Sequence, residues 1–66
     1  MKREELIEDL GRIVREYLPA GEGEILAAKI NKDNVRYILI QLEDKAIGKI
    51  SKEDEALLAE VAFYFS

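Results

Sequence analysis

From Gly23 to Ile50 apolar residues fill both alternating registers of the chain, and that double apolarity limits what the segment can become. Read with a period of two, it predicts a β-hairpin with strands over 24–31 and 35–43, the second rich in the strand formers Val35, Tyr37, Ile38 and Ile40. Asp33-Asn34 supplies the turn, because Asn tolerates left-handed backbone angles and both side chains can bond locally. With these as loop residues, one face of the pleat collects Leu26, Ala28, Ile30, Val35, Tyr37 and Leu39. The other holds Ile25, Ala27, Lys29, Asn31, Arg36, Ile38, Ile40 and Leu42. A solvated antiparallel hairpin needs only one apolar face, so the second is a surplus that a partner would cover. The candidate interface is therefore Ile25, Ala27, Ile38, Ile40 and Leu42.

Helical signals flank this segment. Over 2–18 the residues Leu6, Leu10, Ile13 and Tyr17, with Ile7, Val14 and Leu18 beside them, recur at steps of three and four, so one side is apolar and the other charged. Gly11 within this helix costs about 1 kcal/mol against alanine, and its expected use is the close approach of another backbone. Pro19 ends the helix, and Ala20-Gly21-Glu22-Gly23 reads as a loop. Glu43-Asp44 turns the chain again, and 46–50 is a short third strand weakened by Gly48. Ser51, with Asp54 three residues later and acids in the first turn, starts a final helix whose stripe is Leu57, Leu58, Val61, Ala62 and Phe65. The expectation is one α+β domain over 1–66: two helices packed on one face of a small antiparallel sheet, in the order α-β-β-(β)-α.

Composition narrows the chemistry. The 66 residues contain no cysteine, histidine, tryptophan or threonine, and serine occurs only at Ser51 and Ser66. The common nucleophiles, the usual general base and the usual transition-metal ligands are thus missing, which argues against an enzyme and against a metal or other cofactor. Without disulfides a core this small gains from association. The charged start at Met1-Lys2-Arg3-Glu4-Glu5 and the lack of any long apolar run point to a cytoplasmic protein. Abundant Glu, Lys and Arg suit a thermophilic source, a composition an engineered sequence would share. The leading expectation is a non-catalytic protein-interaction module, self-associating as a homodimer through the hairpin face or serving as a regulator or subunit of a larger complex.

Charge gives the competing reading. The net charge is −4, yet the segment from Lys29 to Lys52 carries six basic and three acidic residues. Nucleic acid binding would use Lys29, Lys32, Arg36, Lys45 and Lys49, with Tyr37 stacking on a base. The blander account is that lysines blunt exposed strands. The order of elements resembles that of the double-stranded RNA-binding domain, and the length is similar. That family begins its last helix with lysines, whereas this helix opens Lys52-Glu53-Asp54-Glu55, so no RNA contact carries over. Val61 with Tyr64-Phe65 resembles the apolar part of peptides that dock on the DNA sliding clamp, although Leu58 stands where that pattern has Gln. Core packing accounts for the same spacing. Glu53, Asp54 and Glu55 match no calcium-loop spacing and suit a helix start.

Overall fold

The computed structural model describes residues 2–66 and contains four helices: α1 over Lys2–Tyr17, α2 over Ala20–Ala28, α3 over Val35–Lys45 and α4 over Lys52–Tyr64. Among the described residues there is no strand, so the α+β expectation with its antiparallel sheet is overturned. The topological likeness to the double-stranded RNA-binding domain goes with it.

The reason lies in the periodicity of α3. Val35, Ile38, Leu42 and Ala46 are all buried and Leu39 is half-buried, which is the three- and four-residue spacing of a helical stripe. Folded on a period of two, the same positions fall into both registers and look like two apolar sheet faces. The strand propensity of Val35, Tyr37, Ile38 and Ile40 is a weak preference that the tertiary burial of one helical face overrides. The turn at 31–34 is where the sequence put it, but it joins two helices. Asn31 Oδ1 accepts from the Asp33 amide at 2.8 Å, Asn34 Oδ1 accepts from the Asn31 amide at 2.8 Å, and Asn34 Nδ2 donates to the Lys29 carbonyl at 2.6 Å.

The segment expected to be a loop after Pro19 is α2. Pro19 sits at its N-cap, where a missing amide hydrogen costs no helical bond, and the Gly23 amide closes the first turn on the Pro19 carbonyl at 2.7 Å. Gly23 is buried against α1, and a Cβ placed on it would stand 2.9 Å from the Val14 carbonyl oxygen and 3.4 Å from Arg15 Cα. The close backbone approach expected at Gly11 is therefore found at Gly23. At Gly11 an added Cβ would make only ordinary contacts, 3.7 Å to Arg15 Nη1 and 3.8 Å to Ile30 Cδ1.

In place of the third strand, Ala46–Ile50 is a tight connection in which the Lys49 amide bonds the Ala46 carbonyl at 3.0 Å and Gly48 takes φ 75°. That left-handed angle favours glycine, which has no Cβ to clash. The final helix starts as expected: Ser51 is extended at φ −66°, ψ 159°, and its Oγ accepts from the Asp54 amide at 3.2 Å. Leu6, Leu10, Ile13 and Val14 of α1 form the centre of the core, closed by Leu18, by Val35, Ile38 and Leu42 of α3, and by Val61 of α4. Leu26, Ala27 and Ile30 pack on it from the α2 side, and Leu57, Leu58 and Phe65 from α4.

Candidate protein-interaction surface

The inner faces of α3 and α4 meet in the core, but their outer edges diverge and leave a trough. Its larger part has a volume of about 410 Å³ and is floored by Leu39, Ala46, Leu58, Ala59 and Ala62, with Glu43 and Glu55 among its polar residues. A second part of about 190 Å³ is lined by Arg36, Leu39, Ile40, Glu43, Ala62 and Phe65. Leu39, Glu43 and Ala62 belong to both, so the two parts adjoin along one groove.

Each wall follows from helix geometry. On α3, Arg36, Ile40 and Glu43 lie at steps of four and three, so they share a stripe beside the buried one, and Ile47 continues it past the helix end. On α4, Glu55, Leu58, Ala59 and Ala62 do the same, and their two alanines keep the wall low. Two large apolar side chains that line the trough are exposed, Ile40 at 53% and Ile47 at 79%. Tyr64, also exposed, meets Phe65 edge to face with ring centroids 5.0 Å apart.

Of the residues expected at an interface, the structure brings only Ile40 to this groove. Ile38 and Leu42 are fully buried core residues, because positions 38 and 42 fall on the inner helical stripe and not on an outer sheet face. Ala27 is half-buried against the core, and Ile25 is exposed on α2. Leu39, expected on the helix-facing side of the sheet, and Ala62, expected in the buried stripe of the final helix, both line the groove; Ile47 and Ala59, which also line it, are not among the residues expected at an interface. A helical reading of 35–47 would have found the α3 half, since Arg36, Ile40 and Ile47 stand out as a second stripe.

The basic residues are exposed but divided. Lys29, Lys32 and Arg36 surround the α2–α3 turn, whereas Lys45 and Lys49 lie at the far end of α3, with the acids Glu43 and Asp44 between. Lys45 is engaged by Glu22 of α2. Tyr37, 56% exposed, neighbours Arg36.

A polar cluster joins α1 to the start of α4. Asp54 is only 7% exposed; its Oδ1 accepts from Arg12 Nη2 at 2.8 Å and its Oδ2 from the Tyr17 hydroxyl at 2.8 Å. The Tyr17 oxygen in turn accepts from the Ser51 amide at 3.3 Å. The Arg12 guanidinium, and then the Tyr17 hydroxyl, hold the Asp54 carboxyl below its ordinary range, and Asp54 raises Arg12. Both oxygens of this carboxylate are engaged, which keeps it charged. Its chemistry is that of a clasp between α1 and the start of α4.

Among the described residues no three His, Cys, Asp or Glu side chains converge to hold a metal ion, and no helix is long and apolar enough to cross a membrane. Val61, central to the clamp-docking resemblance, is fully buried within α4. Compared with known proteins, the chain matches no family model, no curated protein and no solved structure.

Proposed function

We propose that this protein is a non-catalytic interaction module of the cytoplasm that associates with a second copy of itself through the α3–α4 groove. The observation that carries the reading is the groove itself: a continuous trough along which Ile40 and Ile47 are exposed, in a chain whose total accessible surface is 4625 Å². Exposed apolar side chains grouped along a groove are a feature of association sites, and covering them contributes roughly 25 cal/mol per Å² of apolar surface removed from water. The two small alanines of α4 allow a neighbouring helix to approach closely.

The basic residues supply no comparable surface, since α3 and its two acids divide them. The polar cluster at Asp54 is occupied with holding two helices together. Sedimentation equilibrium across micromolar concentrations tests the proposal: a dimer is expected, and Ile40→Lys should convert it to a monomer with unchanged helical circular dichroism. A wild-type monomer at every concentration sinks the reading.

A further inference from the structure

The α3–α4 groove carries its charges in an order that is complementary to itself. Arg36 and Glu43 lie on one stripe of α3 with Ile40 between them, two helical turns apart and about 10 Å along the axis. They stand at equal distances on either side of the point midway between Leu39 and Ile40. An antiparallel copy of α3 crossing at that point brings each Arg36 opposite the other copy's Glu43, while the two Ile40 side chains meet near the crossing. Two-fold association demands this kind of self-complementarity, in which one patch satisfies its own copy.

A second observation comes from α4. Glu55 lines the same cavity as Glu43, so two carboxylates line the larger part of the trough. Among the described residues neither has an ion-pair partner, and Arg36 has none either. The geometry points to a homodimer in which α3 packs antiparallel on α3 of the second copy and each Arg36 enters between Glu43 and Glu55 of the other. The inference rests on the proposed self-association and adds its register and its specificity. An arginine suits the position because its planar fork can engage two carboxylates at once.

Charge reversal separates register from association. Arg36→Glu alone, or Glu43→Arg alone, places like charges opposite each other twice per dimer, and each should weaken the dimer about tenfold or more in sedimentation equilibrium. The double variant Arg36→Glu/Glu43→Arg restores opposite charges at the α3 crossing and should recover most of the lost affinity. Mixing the two single variants should also yield a heterodimer tighter than either homodimer. All these positions are exposed, so circular dichroism should remain that of the wild type. If the wild type is a dimer that Ile40→Lys breaks, but the double variant is no tighter than the singles, the face is right and the register wrong. If the wild type is monomeric throughout, the register falls together with the self-association.

Discussion

The α1–α2 pair and the α3–α4 pair use small residues in opposite ways. At Gly23 the absent side chain lets α2 settle directly on the Val14 carbonyl and Arg15 backbone, and the space a side chain would need is filled by the neighbouring helix. At Ala59 and Ala62 no element of the chain comes in, and the space stays open as the groove. A small residue on a helix permits close approach without saying what approaches. In one pair the approaching helix belongs to the same chain; in the other we assign it to a second copy.

The sharpest way to break that contrast is to exchange buried and exposed positions within α3. Leu42→Ala, at a fully buried site, is expected to cost about 2–5 kcal/mol in denaturant unfolding of the monomer. Ile40→Ala, on the groove side, should change monomer stability by no more than about 0.5 kcal/mol. Equal losses would mean that the groove is closed in solution. Next comes Gly23→Ala, where the added methyl must push against backbone; a loss of about 1–3 kcal/mol in thermal unfolding is expected despite alanine's better helix propensity.

The clasp at Asp54 predicts a dependence on acid. Because the folded carboxyl is held below its unfolded value, its contribution is fully present above the unfolded aspartate pKa of about 3.9 and is lost as pH falls through the lower folded value. Stability measured by urea titration should therefore decline across that acid window, and Asp54→Asn should flatten this part of the profile while lowering stability at neutral pH. An unchanged slope in the variant would remove Asp54 from the account. The smallest effect is expected at Gly11, where ordinary contacts leave room for a methyl: Gly11→Ala should stabilise the protein by up to about 1 kcal/mol, the opposite sign to Gly23→Ala.

The two outer helices were legible from residues alone, because Leu6, Leu10 and Ile13 repeat at helical steps and Ser51 announces a start that its Oγ then makes. The two inner helices were not. Val35, Ile38, Leu39 and Leu42 carry a helical stripe, but the exposed Tyr37 and Ile40 fill the positions between them and complete an apparent alternation. Gly21 and Gly23 disguised α2 as a loop, since the packing that excuses Gly23 depends on where α1 lies in space. The polar clasp escaped for a similar reason: Asp54 was read as a first-turn acid, which it is, while Arg12 and Tyr17 reach it from positions 42 and 37 residues away. Of the five residues whose apolar character suggests a surplus face, Ile25 and Ile40 are exposed, while Ile38 and Leu42 belong to the core because the segment is a helix.

That clasp also sets an order of events in time. The α1–α2 hairpin closes over a short stretch of chain, whereas the contact of Arg12 with Asp54 spans 42 residues and must wait for a much larger loop to form. Val61 reaches the α1 side of the core on the same α4 helix, so until that helix docks, the centre of the core lacks its lid. The rate-limiting barrier is expected to be crossed with the hairpin largely formed and α4 still loose. Stopped-flow kinetics should show Gly23→Ala slowing folding, while Val61→Ala mainly speeds unfolding. The first helix is then a seat prepared early for a partner that the chain itself delivers last.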